Sequence, residues 1–294
     1  MKTSFHRLNT ADGIELHGLL YEPEIKTTSV LIHVHGMGDN FYQNKFVDSI
    51  AHTLTDRGIA LCVFNNRGCE LMKDTYKTEN NGSPQIVRVG GAYEKFEDCI
   101  VDIQAVIDFA ESSFSDIHLS GHSLGCPKIS YYLAETNDKR IKSLALLSPA
   151  DMLGLVRVDA QQFALDNAEA LQLVATGNGE QLLTHWIWDA VPLSANTYLS
   201  LFGDDAPAGI FNFYDPADQL ATLHKITVPT FAAMGRKDDA LVVSIEETFS
   251  RIETALVNAG KVETTILGDA NHGFTGDEQA IADAVTGWVM QNIP

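Results

Sequence analysis

Residues 117–127 read Ile-His-Leu-Ser-Gly-His-Ser-Leu-Gly-Cys-Pro. A short apolar run, Ile117 to Leu119, leads into Gly121-His122-Ser123-Leu124-Gly125, a Gly-x-Ser-x-Gly string entered from a strand and left by a helix. The spacing has a chemical purpose. A serine at a sharp strand-to-helix turn stands clear of the backbone, and small residues two positions to either side let strand and helix pass close together. The N–H groups that open the helix then face any negative charge developing beside the serine. Gly and Ser are common in turns, so the string alone is a weak signal. Its strand-turn-helix context makes Ser123 a candidate nucleophile.

The flanking chain alternates strands and helices. Residues 4–9 and 14–21 predict a hairpin turned at Ala11-Asp12-Gly13, and 29–34 a buried strand ending in His35-Gly36-Met37-Gly38. Phe46, Ile50 and Leu54 recur at helical spacing. Residues 59–64 predict the next strand, ending in Asn65-Asn66-Arg67-Gly68. The polar stretch 73–91, with Asn80-Asn81-Gly82-Ser83-Pro84 inside it, is expected as a long loop. Phe96, Ile100, Ile103 and Ile107 mark another helix, and 141–147 a strand before Ser148-Pro149-Ala150-Asp151. The rhythm breaks there. Residues 152–216 are expected to be helical and are rich in aromatics, among them Trp186, Trp188, Tyr198 and Phe202. It resumes with a strand ending at Gly235, a helix carrying Ile245, Phe249, Ile252 and Leu256, a strand at 262–267, the loop Asn271-His272-Gly273 and a closing helix. The expected fold is α/β: a mostly parallel sheet with helices on both faces, its core made of 1–151 and 217–294, with 152–216 inserted. Sites in such sheets lie at the C-terminal ends of strands. That selects 35–38, 121–125, 235–239 and 269–273.

A serine hydroxyl is almost fully protonated at neutral pH and needs a base. His272, in a loop after the last strand, is the candidate. His122 should point away from the nucleophile, and His35 should shape its own loop. The histidine needs an acid to fix its tautomer. Asp238, in Gly235-Arg236-Lys237-Asp238-Asp239, is preferred over Asp239, with Asp151 third; any of them could simply cap a helix. Donors for an oxyanion would be the backbone N–H of Leu124 and of Met37, the latter flanked by glycines that let the backbone come close.

The segments HVHGMG, NNRG, SGHSLG, GRKDD and NHGF follow one another in the order found in α/β-hydrolase-fold serine hydrolases, which the chain resembles along its length apart from the insertion. NNRG is similar to that family's Asp-x-Arg-Gly element, whose arginine is structural, with Asn65 replacing the acid. NNRGCE, Gly91-Ala92-Tyr93-Glu94, HSLGCPK and PLSANTYLSL are similar to an esterase-like branch. Some fungal members of that branch are linked with opening ester-bonded hydroxamate siderophores. The resemblance implies a Ser123–Asp238–His272 triad, an acyl-enzyme and a helical cap at 152–216. Trp186 and Trp188 would either line an acyl or aryl pocket or bury the cap on the core.

The chain has 39 acidic and 20 basic residues among 294, a formal charge of −19. That argues against nucleic acid or an anionic membrane as partner. There is no run of 18 apolar residues, and the first residues, MKTSFHRLNTADG, show no apolar leader. Cys62, Cys69, Cys99 and Cys126 lack metal-ligand spacing and suggest free thiols in a reducing, cytoplasmic setting. No Gly-rich phosphate fingerprint follows the first parallel strand. The expected function is hydrolysis of a small carboxylic ester, short-acyl or aryl, without metal or organic cofactor. Thioesterase, amidase and C–C hydrolase chemistry on the same residues are the alternatives, with a non-catalytic binding protein as a further class. Oligomeric state is not legible.

Overall fold

In the computed structural model, which describes residues 1–293, β3 (Ser29–Val34) and β7 (Asp116–His122) lie side by side at the centre of an eight-stranded sheet. β4 (Ala60–Asn65) flanks β3, followed by the hairpin β2 (Glu15–Glu22) and β1 (Lys2–Asn9). On the other side come β8 (Ile141–Leu147), β9 (Thr230–Gly235) and β10 (Val262–Leu267). The six strands from β4 through β3, β7, β8 and β9 to β10 run parallel; in this sheet only the pairings of β2 with β1 and with the end strand of that run, β4, are antiparallel. The chain winds one way from β3 to β4 and the other way from β7 onward. The switch point therefore falls between β3 and β7, where the loops after both strands meet.

The two faces follow from side-chain alternation. Leu31, Leu61, Val63, Ala145, Leu147, Phe231 and Ala233 point to one side. There they pack under α1 (Lys45–Asp56) and α8 (Glu278–Gln291), with Phe46, Ile50, Leu54, Val285 and Trp288 at the contact. Val30, Ile32, Val34, Cys62, Phe64, Leu119 and Leu144 point to the other, under α2 (Cys99–Glu111), α3 (Gly125–Thr136) and α7 (Ile245–Ala255). Each Val, Leu, Ile or Phe among them contributes roughly 1.5–3 kcal/mol on burial.

Two expectations are corrected. The stretch at 73–91 is not a loop: β5 (Lys73–Thr78) and β6 (Pro84–Val89) form an antiparallel hairpin, turning at Asn81 and Gly82, whose φ is +81°. Asn-Gly is a strong hairpin signal, and Pro84 is tolerated because it opens its strand. The hairpin docks on the first turn of the chain through Thr78 N–H to the Gly13 carbonyl (2.8 Å). The segment 152–216 is only partly helical. It holds α4 (Met152–Arg157), α5 (Ala160–Ala175) and α6 (Ala195–Phe202). Between α5 and α6 the chain folds back on itself through the antiparallel bridges Leu182–Ser194 and Ile187–Val191, and from Gly203 to Pro216 it is irregular. Among the described residues no helix is long and apolar enough to cross a membrane.

Histidines are built into the sheet as neutral groups. His33 Nδ1 meets Ser120 Oγ at 2.9 Å and His118 Nδ1 meets Ser143 Oγ at 2.8 Å, each across a strand pair, while both Nε2 atoms are buried without partners. Burial depresses His33 and His118 from 6.5 to about 4. The folded chain therefore binds fewer protons than the unfolded one between about pH 4 and 6.5, and its stability rises with pH in that window. Below pH 6.5 each imidazole should remove up to about 1.4 kcal/mol per pH unit. Urea midpoints measured at pH 7, 6 and 5 should fall progressively. A midpoint constant down to pH 5 would contradict neutral burial.

Candidate active site

Ser123 follows β7 directly with φ +54°, a left-handed conformation that costs a non-glycine residue about 1–2 kcal/mol. The surroundings hold it there. Its N–H donates to the Leu147 carbonyl and its own carbonyl accepts from Cys126 N–H, both at 3.0 Å. A Cβ on Gly121 would overlap the Gly125 backbone, and one on Gly125 would overlap the Val34 carbonyl oxygen. The start of α3 thus presses against the end of β3, and only glycine fits between them.

His272, in the loop after β10, turns Nδ1 to Asp238 Oδ1 at 2.9 Å. That leaves Nε2 as the ring nitrogen available to the cavity that His272 and Ser123 both line. Asp238 follows β9, and its side chain is 1% exposed. Burial alone would raise its carboxyl. The hydrogen bond and charge of His272, the Ala240 N–H and the Ser148 hydroxyl outweigh that and hold it below the usual value. Ser148 faces Asp238 outside good hydrogen-bond geometry, so Asp238 Oδ2 and Ser148 Oγ are both buried without a strict partner. Asp239 is exposed and lines the mouth of the cavity. Asp151 is fully employed elsewhere: Oδ1 caps α4 at Gly154 N–H and Oδ2 takes Tyr214 N–H, each at 2.7 Å. His122 points away from the cavity, and its Nε2 donates to the His272 carbonyl at 2.9 Å. Burial and then the neighbouring His272 push His122 down to about 3, so it stays neutral and holds the His272 loop.

On the opposite wall, Met37 follows Gly36, whose position would bring a Cβ to 3.0 Å from Ser123 Cβ. Among the described residues, neither the Met37 nor the Leu124 N–H is consumed by an intramolecular hydrogen bond. The cavity holds about 370 Å³, and Met152, Leu155, Trp188 and Val191 form its apolar walls. Trp188 reaches it from a turn in which it and Asp189 both adopt positive φ, +52° and +56°. Trp186 does not line the cavity, so the two tryptophans are not paired there, although both are about half exposed. Met152 and Leu155 escaped the sequence reading, although their i, i+3 spacing just after β8 was a usable signal. Among the described residues no three His, Cys, Asp or Glu side chains are placed to hold a metal ion.

The sequence pattern of the alpha/beta hydrolase fold matches residues 29–187. Among solved structures, the chain is similar to Est1E from Butyrivibrio proteoclasticus with ferulic acid bound (TM-score 0.67, 19% identity, covering 97% of this chain and 98% of that one). It is also similar to DcsB in complex with its substrate analogue (TM-score 0.70, 17% identity, 99% of each chain). A third is the Pyrococcus furiosus esterase Pf2001 (TM-score 0.61, 17% identity, 100% of this chain and 92% of that one). No curated protein matches the chain significantly.

The two adjacent acids should separate cleanly. Asp238→Asn should lower kcat by about 10³–10⁴ by releasing the histidine tautomer, and Asp239→Asn by far less. Steady-state kinetics with both variants check this, and the reverse ranking would transfer the role to Asp239.

Proposed function

The chain belongs to the alpha/beta hydrolase fold family, and we propose that it is a serine hydrolase of small carboxylic esters with Ser123, Asp238 and His272 as its catalytic residues. The observation that carries the reading is the confluence of Ser123 and the Asp238-bound His272 on one cavity, opposite the uncommitted N–H of Met37.

The chemistry follows from that arrangement. Asp238 keeps the His272 proton on Nδ1, so Nε2 accepts the Ser123 proton as Oγ attacks the ester carbonyl. Negative charge forms on the carbonyl oxygen and is met by the N–H groups of Met37 and Leu124. Donors of this kind are each worth about 3–4 kcal/mol in the transition state. His272 then gives its proton to the departing alcohol. Water repeats the cycle on the acyl-enzyme, with His272 again as base. Nothing in these steps calls for a metal or organic cofactor.

Residues 152–216 act in this proposal as a cap. Met152 and Leu155 from α4, Val191 and Trp188 narrow the approach to Ser123. Walls of this size and character suit a compact short-acyl or aryl group. The ferulic acid bound by Est1E is an aryl acid, which is consistent with such a substrate here.

A fluorophosphonate probe should label the protein once, at Ser123. Ser123→Ala should abolish labelling and lower ester turnover by about 10⁵–10⁶ without loss of fold. Retention of more than about a hundredth of the activity would remove Ser123 from the nucleophile's role. On p-nitrophenyl esters, kcat/KM should rise by at most ~0.8 kcal/mol per methylene until the cavity fills. Trp188→Ala should raise KM more than it lowers kcat. A kcat/KM that keeps climbing through C12 and C16 esters would refute the capped cavity.

A further inference from the structure

Behind the Met37 loop lies a buried polar chain that the proposed mechanism does not use. Lys128, on α3 five positions after Ser123, and Glu94 are 1% and 2% exposed, with Nζ to Oε2 at 2.6 Å. Two charges buried this deeply are costly, and such a pair is weak evidence for stability by itself. Its value here is what the ammonium holds. Lys128 Nζ donates to Asn66 Oδ1 at 3.3 Å, and that oxygen also accepts Gly68 N–H at 2.9 Å. Two donors on Oδ1 fix which way the amide faces, so Nδ2 turns to the His35 carbonyl at 3.4 Å. The Asn66 backbone N–H donates to His35 Nε2 at 3.0 Å. Nε2 is therefore bare and the proton sits on Nδ1, which donates to the Gly36 carbonyl at 2.9 Å. In a trans peptide the carbonyl and the following N–H point in opposite directions. A Gly36 carbonyl drawn back to His35 thus turns the Met37 N–H the other way, toward the cavity that Met37 lines.

We propose that Lys128, paired with Glu94 and acting through Asn66 and His35, is a positioning residue that holds the Gly36–Met37 peptide with its N–H aimed at the forming oxyanion. The proposal rests on the serine-hydrolase reading above. The same chain explains why a second proton on His35 is excluded. Burial first, then the Lys128 charge, push His35 well below its ordinary value. A protonated Nε2 would put two donors face to face and release the Gly36 carbonyl. The packing behind the chain leaves no slack, since a Cβ on Gly68 would overlap the Glu94 carboxylate. The segment that carries Glu94 is itself tied to the insertion, where Ser194 N–H and Thr197 Oγ1 both donate to the Ala92 carbonyl, at 2.8 and 3.0 Å.

The test uses the full chain, with p-nitrophenyl acetate as substrate, fluorophosphonate titration to count active sites and an aryl trifluoromethyl ketone as an oxyanion-forming inhibitor. The double variant Lys128→Met/Glu94→Gln removes both charges together and leaves none orphaned. Asn66→Ala cuts the chain with the ion pair intact, so the question stays answerable should the double variant not fold. Per titrated site, each folded variant should lose about 10²-fold in kcat, the effect of misplacing one oxyanion donor. KM should stay within about threefold, and ketone inhibition should weaken in step with kcat, as transition-state affinity must. Folded variants with kcat within about threefold of the parent, a loss confined to KM, or unchanged ketone affinity beside a lowered kcat would overturn the proposal. A parent protein that neither turns over the ester nor takes up the probe would instead sink the serine-hydrolase reading.

Discussion

The contact on which the rest of this structure depends is the approach of the first turn of α3 to the last residue of β3. Gly125 lies against the Val34 carbonyl so closely that a single added carbon would overlap it. Because helix and strand meet there, Ser123 is driven into its left-handed conformation, and the opening N–H groups of α3 come beside the loop that leaves β3. The strain is sustained because β7 and β3 are the two central strands, buried almost throughout and covered on both faces. A strained turn at the edge of a sheet would relax; between two packed layers it has nowhere to go.

The same rigidity extends to the polar groups inside the molecule. Arg67, the arginine of Asn65-Asn66-Arg67-Gly68, is clasped by Asp102 through Nε and Nη2, at 3.0 and 2.7 Å, and by Asp98 and Asp12 through Nη1. Its backbone N–H also donates to Asp102, at 2.8 Å. A guanidinium has five donors in a fixed fork, so three carboxylates around it determine the path of the chain at that point. Asn65 accepts Phe41 N–H at 3.2 Å and ties the loop after β3 to the end of β4. Neutral histidines do comparable work in the sheet by joining neighbouring strands through serines. These devices fix the loops after β3 and β4 relative to the central strands.

Much of this was legible in the sequence because strong local signals agreed. The strand runs at 29–34 and 141–147 are mostly apolar and almost wholly buried, and their boundaries were readable to the residue. Ser123, His272 and Asp238 stand at strand ends, where the sequence signals are local; His272 contacts Asp238 and lines one cavity with Ser123. What escaped was of two kinds. The hairpin at β5 and β6 is polar on most of its surface, so its alternation is faint and only Asn81-Gly82 announces it. In the insertion, Trp186 and Trp188 sit two residues apart in a sharp turn. Only Trp188 lines the cavity, from a turn with two successive left-handed residues that composition does not reveal. The chain from Lys128 to His35 was invisible for a different reason. It joins four sequence segments by one or two hydrogen bonds at each step, and nothing within any one of them signals the others, although several stand together in the resemblance.

Asp151 has a consequence for how this molecule could change over generations. One carboxylate oxygen holds the chain where the insertion departs, at Gly154, and the other holds it where the insertion returns, at Tyr214. Arg251, on α7, grips the returning segment through the carbonyls of Asn212, Phe213, Asp215 and Asp218. The two ends are thus pinned together at the base like the stem of a detachable module. Because the stem is held by the core, the length of chain above it is nearly free to vary; doubling a flexible loop costs only about 0.6 kcal/mol in closure entropy. The chain above that stem could be lengthened, trimmed or exchanged while the sheet and the strained serine turn beneath it stayed unchanged.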